Sequence, residues 1–157
     1  MDIEEEIKQQ KKFTDEFEKA VVNLLYTSSW LYNLNAARLK EYGVTPEQFN
    51  VLRILRGSYP KPMMLSEISD RMLDKASNAT RLVEKLRQKS LVKREICADN
   101  RRQVDIIITE VGLGALTAID NGCQEWMHSV KNLGNADARE LNRILDKLRE
   151  EPAKGKK

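Results

Sequence analysis

The sequence predicts a mainly α-helical fold interrupted by one β-hairpin, and three observations predict it. Apolar residues recur at helical spacing near both ends of the chain. Two runs of period-two alternation flank the polar stretch "DNRR". Positive charge gathers on the segment that leads into this hairpin: residues 71–102 hold ten Lys and Arg against four acids, a local charge of +6 in a chain of net charge +3.

The first helical pattern covers residues 4–42, where Phe13, Phe17, Val21, Leu24, Leu25, Leu31, Leu34 and Leu39 recur near helical spacing. Gly43 is a stop, because glycine enters the left-handed conformation at a helix end without cost. The next helix begins at once. Thr45 caps it, Pro46 fits its first turn and Gln48 completes a Thr-x-x-Gln capping box. Phe49, Leu52 and Leu55 form its apolar stripe, and "GSYPKP" breaks it. "LSEISDRML" then places Leu65, Ile68 and Met72 on one face with Leu73 beside them. "KAS" turns the chain, and Ser77 or a neighbour caps the helix "NATRLVEKLRQKS".

That helix has two unlike faces. Ala79, Leu82, Val83 and Leu86 fall at i, i+3, i+4 and i+7 and belong to the core. The opposite face carries Ser77, Arg81, Glu84 and Gln88, flanked by Asn78, Thr80 and Lys85. Hydrogen-bonding side chains with cations among them suit base edges and phosphates in a major groove. The alternative is a solvated helix face. In the hairpin, Val92, Arg94, Ile96 and Ala98 alternate with Lys93, Glu95 and Cys97, and Val104, Ile106 and Ile108 alternate with Gln103, Asp105 and Ile107. Such a ribbon is marginal alone and leans on the helices through its apolar face. Thr109 caps a helix over residues 110–133, with Leu113, Leu116, Ile119, Cys123, Trp126 and Val130 as its apolar set. Gly134 and Asn135 break the chain. A last helix carries Leu141, Ile144, Leu145 and Leu148, and the rest is a solvated tail.

Composition bounds the function. The chain has 157 residues, of which 41% are hydrophobic and 32% charged, enough for one domain with a core and too polar for a membrane protein. No apolar run approaches the roughly 20 residues that span a bilayer. The opening "MDIEEEIKQQKK" has no apolar segment of signal-peptide type, so the expected location is cytoplasmic. Cys97 and Cys123 form no CxxC motif and read as inert, and His128 reads as structural, so neither a metal nor a cofactor is expected. No pair of acids with a nearby base, no Ser/His/Asp set and no phosphate loop stands out, and an enzyme is not expected.

Helix, helix, short helix, short helix, hairpin is the order of a winged helix-turn-helix. "LSEISDRMLDKASNATRLVEKLRQKSLVKREICADNRRQVDIIITEVG" resembles the DNA-binding core of the multiple antibiotic resistance regulator (MarR) family. The matching pieces are "ATRLVEKLRQKSLVKR", a polar tip bearing arginine, and V-x-I-x-I-T-x-x-G. The long terminal helices match as well. The resemblance implies one MarR-like domain over residues 1–157, with dimerisation helices at 1–43 and 110–151, a winged core at 45–109 and a tail at 152–157. It implies a transcriptional regulator, a homodimeric repressor, that binds double-stranded DNA at a palindromic operator.

Carried over by residue, the resemblance assigns the DNA face to Ser77, Asn78, Thr80, Arg81 and Lys85, with Lys75 and Ser66 as phosphate contacts. Ser77 serves equally as a plain N-cap. Glu84 orients Arg81 or Lys85, or is only solvated. The hairpin is the wing, and its tip arginine enters the minor groove, whose negative potential attracts Arg. Arg102 takes that place in one register, with Arg101 as helper and Asp99 as an orienting acid; the register that keeps Asp99-x-Arg101 shifts the role to Arg101. Ser90 departs from the glycine common at the end of the family's recognition helix, and another end geometry would displace the wing.

The resemblance also implies that the terminal helices interlock with a partner's. Phe13, Phe17, Leu141, Ile144, Leu145 and Leu148 are the interface candidates, with intrachain packing as the alternative. The family often places an effector pocket between the dimer helices and the winged domain. Tyr26, Trp30, Tyr32, Trp126 and Met127 are candidates for lining one that takes a small aromatic or amphipathic molecule. A rival reading makes the winged helix a protein-interaction module, whose exposed helix face would be more apolar than this one.

Overall fold

The computed structural model describes residues 2–96, 104–122, 126–127 and 132–150, the side chains of Ile96 and Val104 excepted. It falls into two compact units, residues 1–119 and 120–157. In the first, the elements run α1 (Ile3–Glu6), α2 (Glu16–Lys40), α3 (Pro46–Ser58), β1 (Met63–Met64), α4 (Leu65–Arg71), α5 (Ala79–Gln88), β2 (Val92–Ile96) and β3 (Val104–Ile108). Then comes α6 (Glu110–Asn121), and α7 (Asn135–Arg149) lies in the second unit. Mostly helical with one small antiparallel sheet, this is the winged helix-turn-helix expected from the sequence.

The single N-terminal helix expected over residues 4–42 is two helices. Lys8 takes φ 54°, which no α-helix accommodates, and α1 ends before it. The polar run at residues 8–12 offers no side chain to bury, so nothing compensates for ordering a helix there. Asp15 then starts α2 afresh, its carboxylate accepting the Phe17 N–H at 2.8 Å. Lys19 reaches back to Asp2 at 3.1 Å and fixes α1 beside α2.

The turn from α2 to α3 follows its sequence signals. Gly43 has φ 68°, its N–H donates to Lys40 O, and the Val44 N–H donates to Leu39 O, the paired bonds of a Schellman cap. Thr45 and Gln48 exchange their capping-box bonds at 3.3 Å each way. "GSYPKP" ends α3 only at Ser58, so its first two residues are helical.

The core of this unit gathers Val51, Leu52 and Leu55 of α3 with Ile68, Met72, Val83, Leu86, Val92, Ile106, Ile108, Leu116 and Ile119. The sheet has order β1-β3-β2, all antiparallel. Pairing of Val92 with Ile108 and Arg94 with Ile106 places the buried residues of the ribbon on one face, toward the helices. The sequence reading lacks β1, whose Met63 pairs with Ile106 and is buried. Two residues are too few to show a period of two. Leu73, expected beside the core face of α4, is instead 89% exposed, because α4 ends at Arg71 and the chain turns outward.

Thr109 caps α6 as expected, accepting the Gly112 N–H at 3.1 Å, while its hydroxyl donates to Ser90 O at 2.7 Å. The helix expected over residues 110–133 is interrupted: α6 ends at Asn121 with Gly122 in a turn, as an Asn-Gly pair favours, and Trp126 and Met127 are helical again. Cys97, Cys123, His128, Val130 and the tail at 152–157 lie outside the described residues. Among the described residues no helix is long and apolar enough to cross a membrane.

Candidate nucleic-acid interface

The amphipathic split of α5 holds. Ala79, Val83 and Leu86 are buried, and Thr80, Arg81, Lys85 and Gln88 are exposed. The helix is started by Asn78, whose side-chain oxygen accepts the Arg81 N–H at 3.0 Å. Ser77 is therefore not the cap. Its hydroxyl donates to Asp74 at 2.6 Å, and Asp74 also accepts the Ala76 N–H at 3.0 Å. The Ser77 hydroxyl and then the Ala76 N–H hold the Asp74 carboxyl below the usual carboxylate range. Of the phosphate candidates, Ser66 is exposed in the first turn of α4, while the Lys75 ammonium folds back onto the Asp70 carbonyl oxygen.

Asn78, Thr80, Arg81 and Lys85 come together as expected. With Glu84, Gln88 and Arg94 they line one open hollow of about 480 Å³. Glu84 does neither thing anticipated for it. It accepts from Arg87 Nε at 3.1 Å and from the same guanidinium's terminal nitrogen at 2.8 Å, and it stands 3.7 Å from Arg94. The Arg87 hydrogen bond is the main cause holding the Glu84 carboxyl below its ordinary range. Arg94 sits on the helix-facing side of β2, since it pairs with buried Ile106, and so Glu84 ties α5 to the wing. Alternation alone could not mark this residue, because a cation on the apolar face looks like an error in the pattern. Among the described residues none pairs with Arg81 or Lys85, so those two cations stay available on the face.

The end of α5 keeps the left-handed geometry that a glycine would supply. Ser90 itself takes φ 58°, where the family's glycine would stand. The Leu91 N–H donates to Leu86 O and the Ser90 N–H to Arg87 O, the same Schellman pair as at Gly43. Asp99, Arg101 and Arg102 lie outside the described residues, beyond the last strand pair, Ile96 with Val104.

The effector candidates of the first unit, Tyr26, Trp30 and Tyr32, border two hollows. Tyr26 and Trp30, one turn apart on α2, line a hollow of about 390 Å³ together with Ile3 and Glu6. Tyr32 lies two residues further, about 200° around the helix, and borders a different hollow. Trp126 is half-buried and Met127 exposed, both in the second unit. Among the interface candidates Phe17 is 84% exposed, Phe13 and Leu145 are half-buried, and Leu141, Ile144 and Leu148 are exposed.

A model of the MarR family matches residues 44–104, the stretch that holds α3, the helix-turn-helix and the first strand of the wing, β2. The chain is 35% identical over 81 residues to the HTH-type transcriptional regulator MhqR of Bacillus subtilis (strain 168), covering 52% of this chain and 54% of that protein. It is 30% identical over 117 residues to the HTH-type transcriptional repressor IacR of Pseudomonas putida, covering 73% of this chain and 69% of that protein. The matched part thus spans about half the length of MhqR. The crystal structure of a mutant MarR from E. coli complexed with operator DNA is similar in fold, with a TM-score of 0.74 at 21% identity, over 87% of this chain and 100% of that one. The order of helices and hairpin, and a relative matched at 30% identity over most of both chains, place this protein in the MarR family.

Proposed function

We propose that this chain is a sequence-specific, double-stranded DNA-binding transcriptional regulator that acts in the cytoplasm as a homodimeric repressor. The observation that carries this is α5: its apolar side is spent on the core, while Asn78, Thr80, Arg81 and Lys85 stand together on the other. Such a face offers donors and cations to base edges and phosphates. The relatives MhqR and IacR are named as transcriptional regulators, and the E. coli MarR neighbour holds operator DNA. A protein-interaction module would expose a more apolar face.

One module reads one half-site, so the protein binds a palindromic operator as a pair. The exposed row of Leu141, Ile144 and Leu148 on α7 supports this, as does Phe17 on α2. In this reading residues 1–157 form one MarR-like domain, the terminal helices make the dimer, and Arg101 and Arg102 reach the minor groove from the wing tip. A small aromatic or amphipathic effector modulates operator binding.

The test is a mobility shift with DNA from upstream of the protein's own operon, against random competitor. A specific shift is expected, and Arg81→Ala should change sequence preference as well as affinity, a lost base contact costing about 1–3 kcal/mol. Binding no better than to random DNA would remove this reading. Analytical ultracentrifugation tests the pairing: loss of residues 140–157 should leave monomers.

A further inference from the structure

Asn78 has a divided amide. It is exposed at the start of α5 and lines the open hollow with Thr80, Arg81 and Lys85. Its side-chain oxygen accepts the Arg81 N–H at 3.0 Å as the cap of the helix. Only the oxygen can accept from an N–H, so chemistry fixes which way the amide is turned. What Asn78 keeps for a ligand is its NH2 group, which carries two donors. Asparagine ordinarily reads adenine through a fork, in which the oxygen takes the N6 amino group while the nitrogen gives to N7. That fork needs both atoms side by side on one base edge. Here the oxygen is held by the helix's own backbone.

The neighbouring side chains have the same sense. Arg81 and Lys85 carry donors only. Among the described lining residues Glu84 is the one anion, and it is spent. Its two oxygens accept from Arg87 at 3.1 and 2.8 Å, and the Gln88 amide donates to it as well. Gln88 keeps its own oxygen, but it lies about 15 Å along the axis from Asn78. The residues that reach base edges in a helix-turn-helix are those at the start of the recognition helix. The Thr80 hydroxyl can give or accept and decides nothing.

We propose that the start of α5 selects guanine in each half-site, Asn78 and Arg81 both donating to guanine acceptors, and that adenine is rejected at the Asn78 position. Guanine shows two acceptors, N7 and O6, and no donor in the major groove. Adenine sets an amino group beside its N7, cytosine offers an amino group, and thymine has one acceptor beside a methyl group. An amino group against the Asn78 NH2 is donor facing donor. Asn78 and Arg81 share one stripe of the helix and stand about 4.5 Å apart along it. That is close to one base step of about 3.4 Å, so the two side chains meet neighbouring bases. This assignment rests on the DNA-binding function proposed above.

The experiment selects bound sequences from a randomised duplex library at low salt, with the full chain as wild type, Asn78→Asp and Asn78→Ser. Aspartate and serine cap a helix about as well as asparagine, so both variants should melt like wild type. Asn78→Asp exchanges the two donors for an acceptor, and one position in each half-site should change. Wild type should favour guanine over adenine there by at least about fivefold, and Asn78→Asp should favour cytosine or adenine over guanine by a similar factor. Asn78→Ser should lose the preference at the same position without the added charge. Base preference is read within each pool, so a general loss of affinity does not mimic the result. Adenine or thymine at that position in wild type, or pools whose preferences the two variants leave unchanged, would overturn the assignment while the wild-type consensus keeps the regulator reading. A wild type that enriches no sequence removes both.

Discussion

The ammonium of Lys89 donates to the carbonyl oxygen of Gly43 at 2.6 Å, across 46 positions of sequence. The same nitrogen donates to Gln48 Oε1 at 3.1 Å. Gln48 is 2% exposed, a polar side chain within the core, and its oxygen also accepts the Thr45 N–H. One lysine at the C-cap of α5 therefore closes the turn between α2 and α3 and fixes the end of the helix that carries the proposed DNA face.

Lys89→Met should lower the free energy of unfolding by about 1–2 kcal/mol, since it removes two charge-assisted bonds while retaining an apolar stem. Chemical denaturation measures this. Operator affinity should fall with it, beyond the loss of one cation, because the end of α5 is then no longer tied to the turn between α2 and α3. A variant that unfolds like wild type would show that solvent replaces both bonds at no cost.

Ser90→Gly should stabilise the protein. Ser90 holds φ 58°, and a side chain costs about 1–2 kcal/mol in the left-handed region. Glycine gives back about 0.5–1 kcal/mol through its freer unfolded chain. The net expectation is a gain of about 0.5–1 kcal/mol, visible as a rise of about 1–4 °C in the thermal midpoint. Gly43→Ser, at φ 68°, should show the opposite sign.

The two glycines at the start of α6 should behave oppositely. A Cβ on Gly112 would stand 2.2 Å from Leu91 O and 2.7 Å from Ile108 Cγ1, and neither backbone nor core can yield cheaply. Gly112→Ala should cost about 1–3 kcal/mol. Nothing lies within 4 Å of a Cβ on Gly114, so Gly114→Ala should stabilise by about 0.5–1 kcal/mol. Thermal melts of the two variants decide it, and equal shifts would contradict the close approach of α6 to Leu91.

What was legible in the sequence is what local chemistry writes within a few residues. Gly43, Thr45 with Gln48, and Thr109 all cap where their types require, and the split faces of α5 follow from a period of 3.6. The break at Lys8 was hidden because apolar residues resume at helical spacing after it. Lys89 gave no sign, since a lysine in a charged segment looks solvated until the fold brings Gly43 beside it. The same holds for Glu84, which needed the position of β2 to gain Arg94 as a neighbour. Ser90 was legible as an exception but not in its outcome: the six-residue closure from Leu86 to Leu91 prevails over the preference of the residue in it. Leu73 was misplaced because helical periodicity was extended past the true end of α4.

Glu84 offers the sharpest test of the proposed interface. Its carboxylate is spent on Arg87 and stands near Arg94, so it withholds two cations from any phosphate nearby. Exposed pairs of this kind add little to folding, and Glu84→Gln should melt like wild type. Its effect should appear on DNA. Each cation released to a phosphate adds about 0.9 to the magnitude of the slope of log K against log salt, so the slope should steepen by about one to two units. Affinity at low salt should rise for operator and random DNA together, and discrimination between them should fall, because phosphate contacts carry no sequence information. The measurement is binding to both DNAs across a salt series. An unchanged slope would mean that the two guanidiniums never face phosphate. A loss confined to the operator would give Glu84 a different part, accepting a hydrogen bond from the amino group of a cytosine in the major groove.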